Sequence, residues 1–163
     1  MKNLTYKLFI FSAIVMFFGL KLANAQIGYL DTLYYKGVGV DFKCTSGFVL
    51  PDSSIIIAGK TRYVNERVIN GVAKLKADGS NDFTFAADSG ANDYVNIVVR
   101  QPDGKILAGG NFTRYSGTVA GRITRLNANG TIDTSFHAGI GFNQNIYMVR
   151  LQPDGKILVG GDF

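Results

Sequence analysis

The run Tyr94–Gln101, YVNIVVRQ, is rich in β-branched residues, and its alternation predicts a strand with Val95, Ile97 and Val99 on one face. Pro-Asp-Gly follows at Pro102–Gly104. Proline presets φ for a turn, the aspartate can bond the nearby backbone, and glycine can take positive φ. KILAGG at Lys105–Gly110 then runs back as a second strand, so QPDGKIL reads as a β-hairpin. A loop from Asn111 to about Gly121 leads to a third strand, RITRLN, at Arg122–Asn127. Ala128-Asn129-Gly130 predicts a tight turn, where Asn-Gly suits type I′ geometry. TIDTSF at Thr131–Phe136 predicts a fourth strand. No later segment carries helical periodicity.

This pattern is repeated. QPDGKIL recurs at Gln152–Leu158, and the same step of 51 residues links Pro51, Pro102 and Pro153. It also joins Leu75 to Leu126, Asp82 to Asp133, Phe85 to Phe136, and Gly39 to Gly90 and Gly141. TRY at Thr61–Tyr63 recurs at Thr113–Tyr115, slipped by one residue within the long loop. A tandem unit of this period with four short antiparallel strands is expected to be a β-propeller blade. One blade cannot bury both faces, so blades stack, with the apolar residues of strands one and two between them. Phe85 and Phe136 are expected to plug equivalent gaps. The fold class is therefore all-β, an incomplete propeller of four-stranded antiparallel blades.

The N-terminus follows other rules. Lys2 and Lys7 precede the apolar run Leu8–Leu20, and Ala23-Asn24-Ala25 is a small-x-small cleavage site. Residues 1–25 thus read as a secretory signal peptide, with the repeat domain at 26–163. The apolar run is short for a spanning helix, which needs about 20 residues, so no stable membrane span is expected after cleavage. The full chain has 17 basic and 12 acidic residues. Losing Lys2, Lys7 and Lys21 leaves a net charge of +2, which gives no reason to expect a nucleic-acid partner. The single cysteine, Cys44, has no internal disulfide partner and is expected to be a small core residue.

QPDGKILAGGNF followed by RITRLNANGTIDTSF resembles the delta-60 repeat, a family of bacterial secreted proteins expected to form β-propellers. The resemblance covers nearly all of Ile27–Phe163 and implies no catalytic residues. LPDSSIIIAG at Leu50–Gly59 departs from it, with Ser53-Ser54 where Gly-Lys is usual, which leaves the type of that turn open. Kelch blades also carry Gly-Gly after strand two, but they need a tryptophan, and this chain has none. In the blade alignment Ile27–Tyr35 is a fourth strand. Blades at about 42–92 and 93–143 follow, then two strands ending at Phe163. That array leaves sheet edges open. The chain is therefore expected to be a fragment of a longer protein or a truncated product. The alternative is a short form that self-associates through those edges.

Candidate chemistry is sparse. His137 is the only histidine and is expected in a surface loop; no metal site or cofactor is expected. Asp52, Asp103 and Asp154 sit in turns, and Asp82 and Asp133 just after them, so turn formation is the expected role. A glycoside-hydrolysing acid pair would break the repeat symmetry rather than follow it. Asn127–Asp133 has the oxygen spacing of a calcium loop, but Lys76 heads the equivalent segment, which favours a hairpin turn. The best binding candidates are Arg62 and Tyr63 in one strand-two-to-three loop, with Arg114 and Tyr115 in the next. Arginine and tyrosine are frequent in binding hot spots, although each tyrosine could instead pack over its own blade. The expected function is an exported, non-catalytic binding or scaffold module for a surface protein or glycan. The alternative is the propeller part of a larger secreted polysaccharide-acting enzyme.

Overall fold

The computed structural model describes residues 44–163, apart from 61–62, 65–66 and 87–88, and for 63–64 and 67–68 the backbone alone. These residues belong to the unit Thr32–Phe163. The expected signal peptide and the strand expected at 27–35 lie outside them, as does Arg62.

Twelve strands run through the described residues. The first blade holds β1 (Cys44–Val49), β2 (Ile55–Gly59) and β5 (Val72–Leu75), with a hairpin of β3 (Tyr63–Val64) and β4 (Arg67–Val68) between β2 and β5. The second repeats this with β6 (Val95–Arg100), β7 (Ile106–Gly110), β8 (Arg114–Tyr115), β9 (Thr118–Val119) and β10 (Ile123–Leu126). The third is the pair β11 (Ile146–Leu151) and β12 (Ile157–Gly161). The sheet orders are β1-β2-β5, β6-β7-β10 and β11-β12, all antiparallel. The fold is all-β, built of incomplete propeller blades.

Each blade opens with a hairpin in the same register: Val49 faces Ile55, Arg100 faces Ile106, and Leu151 faces Ile157. The turn is also the same. In the second blade the Gln101 amide donates to the Lys105 carbonyl at 2.8 Å and the Gly104 amide to the Gln101 carbonyl at 3.0 Å. Asp103 accepts the Lys105 amide, and Gly104 has φ 87°. This is a three-residue loop closed by a left-handed residue, the bulged hairpin that tolerates a type I turn. LPDSS builds it too, with Ser53 in the left-handed position at φ 65°. That settles the turn type left open by its sequence.

Three expectations need correction. The Ala-Asn-Gly turn is not type I′, since only Gly130 has positive φ; it is the same bulged loop, with Asn129 accepting the Thr131 amide. The fourth strand shrinks to a single bridge in each of the first two blades, Leu75 to Asn81 and Leu126 to Ile132. Asp82 and Asp133 end it: each carboxylate accepts the amide and hydroxyl of the residue two further on, coiling the chain out of the extended state. Finally, a register shift between Val95 and Ile97 breaks the alternation of β6. Val95 and Val98 turn to the first blade, while Ile97 and Val99 pack toward the third.

The core therefore lies between the blades. Phe48, Ile56, Val72, Val95, Val98 and Ile106 form one cluster between the first and second blades. Leu107, Ile123, Ile146 and Val149 form another between the second and third, with Phe136 packed against it. Phe85 is buried at the first junction, against the Gly130 turn of the following repeat. Gly90 and Gly141 recur because two backbones meet there. A Cβ on Gly141 would stand 2.5 Å from the Gly121 Cα, and the Phe142 amide donates to the Gly121 carbonyl at 3.0 Å.

Candidate functional site

The strand-two-to-three loops fold as projecting hairpins. In the second blade β8 and β9 pair through Arg114 with Val119 and Tyr115 with Thr118. Ser116 and Gly117 both take positive φ between them. Asn92, in the segment entering this blade, anchors the hairpin. Its side-chain oxygen accepts the amides of Thr113 and Arg114, and its Nδ2 donates to the Thr113 hydroxyl at 3.1 Å. The backbone of Tyr115 bridges to Ala91.

This anchoring separates the two residues of the candidate pair. Arg114 is exposed, its guanidinium held by the Gly117 carbonyl at 2.9 Å, and remains available at the rim. Tyr115 is not: it is fully buried, edge-on to Phe112 with ring centroids 5.9 Å apart. Alternation along a two-residue strand sends one side chain out and the next in. Tyr115 therefore packs over its own blade and leaves the binding set. Tyr63 belongs to the equivalent hairpin, β3–β4, but its side chain, like Arg62, lies outside the described residues.

The recurrent acids hold the chain. Asp133 is buried, and its Oδ2 takes Lys105 Nζ at 2.8 Å and Arg125 Nε at 2.7 Å. Hydrogen bonds from Lys105 and then from Ser135 keep its carboxyl far below the ordinary carboxylate range. Asp82 repeats the device with Lys74 at 3.0 Å, and its pKa falls from 3.8 to about 2, chiefly through the Thr84 hydroxyl. Ser54 lowers Asp52, and Lys156 lowers Asp154. An acid so tightly paired is a poor proton donor near neutrality.

Arg125 also lies over the Phe136 ring at 5.0 Å. His137 is exposed, with Nδ1 3.0 Å from the Ser135 carbonyl. Burial pushes the Cys44 thiol up, as expected of a cysteine packed among apolar neighbours. Among the described residues no three His, Cys, Asp or Glu side chains converge, and no helix is long and apolar enough to cross a membrane. Residues 127–133 form the hairpin turn already described.

One feature escaped the sequence reading. A cleft of about 320 Å³ opens in the second blade between β9, the start of β10 and residues 132–140, with Thr118, Thr124, Thr134 and His137 on its walls. The available signal was departure from the repeat. Thr124, Thr134 and His137 stand where the first repeat has Ala73, Phe83 and Ala86.

No curated protein matches this chain. Residues 50–85, 101–136 and 152–163 match the family described as Domain of unknown function (DUF5122) beta-propeller. The three segments begin 51 residues apart, at the turn of each bulged hairpin, and together span about half of the chain. All three take in the turn and the second strand of the hairpin, and the first two also the strand that pairs with it and the Asp-closed turn. On sequence and architecture alike, this chain belongs to the DUF5122 beta-propeller family.

Proposed function

We propose that this chain is an exported binding or scaffold module whose partner is a surface protein or glycan. One contrast carries the reading. The recurrent acids are consumed in holding turns and blade edges, while the β8–β9 hairpin is anchored on Asn92 and presents Arg114 to solvent. A rigid loop that offers an arginine on a stacked-sheet scaffold suits recognition. The apolar run and small-x-small site within residues 1–25 support export, and the resemblance to delta-60 repeats points the same way.

The test is affinity electrophoresis of the purified chain through gels containing polysaccharides, paired with overlay on cell-surface protein fractions. Retention by either, weakened in Arg114→Ala and without release of reducing ends, is expected. Release of reducing ends from a retained polysaccharide would overturn this reading in favour of the propeller part of a secreted polysaccharide-acting enzyme.

A further inference from the structure

We infer that the loop end of the stacked blades binds a glycan with carboxylates on its sugar units, anchored on Arg122 and met again by Arg114. This rests on the module reading above and names the class of its ligand. The two ends of the blades treat their cations differently. At the turn end Lys74, Lys105, Arg125 and Lys156 each sit on an aspartate, at distances between 2.6 and 3.0 Å. At the loop end Arg114 and Arg122 form no ion pair among the described residues. The two carboxylates described there are otherwise engaged. Asp93 accepts the Tyr94 amide at 2.7 Å, and Asp162 accepts the Tyr147 hydroxyl at 2.8 Å.

Arg122 is held as an anion anchor would be. It takes φ 72° at the position where the first repeat has Gly71, at 92°. Left-handed backbone opposes a side chain, so this residue carries strain that glycine would remove. The side chain is half-buried and spans the second and third blades. Nη1 alone donates both of its bonds, to the Asn111 carbonyl at 2.7 Å and to Asn145 Oδ1 at 3.3 Å. Those bonds fix the guanidinium, while Nε and Nη2 take no protein partner and are not sealed from solvent. Two parallel N–H groups match the two oxygens of a carboxylate.

This junction has chain on both sides. The Gly110 amide donates to the Arg122 carbonyl at 2.9 Å, and the Phe142 amide to the Gly121 carbonyl at 3.0 Å. One repeat earlier, Lys60 and Tyr94 stand where Asn111 and Asn145 do, and Lys60 Nζ lies 4.2 Å from the Tyr94 ring centre. Each junction thus carries a cation at its loop end, although different positions supply it. Charge that recurs from blade to blade suits a polymer charged along its length. The polar neighbours suit sugar: Asn96 Nδ2 donates to Asn111 Oδ1 at 2.8 Å, and Asn145 Nδ2 to the Tyr147 hydroxyl at 3.3 Å. Amides and a phenol both donate and accept, as hydroxyls beside a carboxylate require. An extended acidic peptide would instead use strand pairing and pockets for alternate side chains.

Calorimetric titration of the full chain with hexagalacturonate and hexamannuronate tests this. Cellohexaose serves as a neutral glycan and hexaglutamate as an acidic peptide. Saturable binding of at least one hexauronate is expected, weakened tenfold or more by Arg122→Gly and by raising salt from about 0.05 M to about 0.5 M. Arg122→Gly restores the residue of the first repeat and relieves the backbone, so its melting temperature is expected to hold. Where that variant melts lower, Arg122→Lys decides, since it keeps the charge and loses the fork; affinity equal to the native chain's then overturns the inference. Absence of saturable binding by both hexauronates overturns it too, as does equal or tighter binding of cellohexaose or hexaglutamate, or affinity unchanged in Arg122→Gly. Each of these results leaves the module reading standing. Release of reducing ends from a retained polysaccharide is the separate result that overturns that reading.

Discussion

Ser53 offers a direct test of how these hairpins are built. It occupies the position of Gly104 and Gly155, with φ 65° against their 87° and 83°. The hydrogen bonds match as well: Leu50 amide to Ser54 carbonyl at 2.7 Å and Ser53 amide to Leu50 carbonyl at 2.9 Å. The three backbones thus differ only in the Cβ at one left-handed residue. An L-residue there costs about 1–2 kcal/mol. Glycine gives back roughly 0.5–1 kcal/mol, because it loses more chain entropy on folding. The difference predicts that Ser53→Gly stabilises the chain by about 0.5–1 kcal/mol. Gly104→Ser should destabilise it by a similar amount, since a new Cβ would meet nothing closer than Ala128 Cβ at 3.8 Å and φ alone is at stake. Urea unfolding at pH 7 reads both as opposite shifts of the midpoint at constant slope. If Ser53→Gly lowers the midpoint, or Gly104→Ser leaves it unmoved, the shared turn is wrong.

Four further substitutions probe other parts of the structure. Gly141→Ala forces a Cβ to within 2.5 Å of Gly121 and should cost more than about 3 kcal/mol, whereas Gly155→Ala, with open space around it, should cost only about 1 kcal/mol; equal losses by thermal melting would refute the close approach. Tyr115→Ala empties a fully buried site and should cost about 3–5 kcal/mol in the same measurement, while a near-neutral result would return the ring to the surface. Asp82 has a folded pKa of about 2 against 3.8 ordinarily, so its contribution is present above pH 4 and fades as pH falls toward 2. The urea midpoints of the native chain and Asp82→Asn should therefore differ at pH 7 and converge by pH 2; a constant gap would mean that ionisation of Asp82 is not what the variant loses.

The repeat and its hairpins were legible because they depend on local rules. Proline, aspartate and glycine set a turn within five residues, and their recurrence fixed the period and the stacking. What was hidden depends on contacts remote in sequence. The bulge at Val95–Ile97 moves Ile97 and Val99 to the opposite face from Val95, and no alternation count shows that. The fourth strand looked extended in TIDTSF, but the Asp133 carboxylate takes the Ser135 amide that would have continued the ladder. Tyr115 resembled a rim residue until the Asn92 anchor, 23 positions earlier in the sequence, turned the hairpin and sent the ring inward. The cleft was visible only as a failure of repetition at Thr124, Thr134 and His137, and it took spatial proximity to join them.

The shared hairpin has a consequence for how such a chain changes over generations. A crossover between the stretches encoding Gln101–Leu107 and Gln152–Leu158 would delete 51 residues and fuse β6 to β12. The hybrid sheet would keep its turn and register, because Arg100 and Leu151 meet equivalent partners, Ile106 and Ile157. Its first junction would be kept as well, because the hybrid retains β6 and with it the Val95 carbonyl that Thr45 reaches at 2.9 Å, the same bond that Asn96 makes to the Ile146 carbonyl one unit on at 2.8 Å. Blade number is thus free to drift by recombination without loss of the turn, the register or the bond that ties one blade to the next.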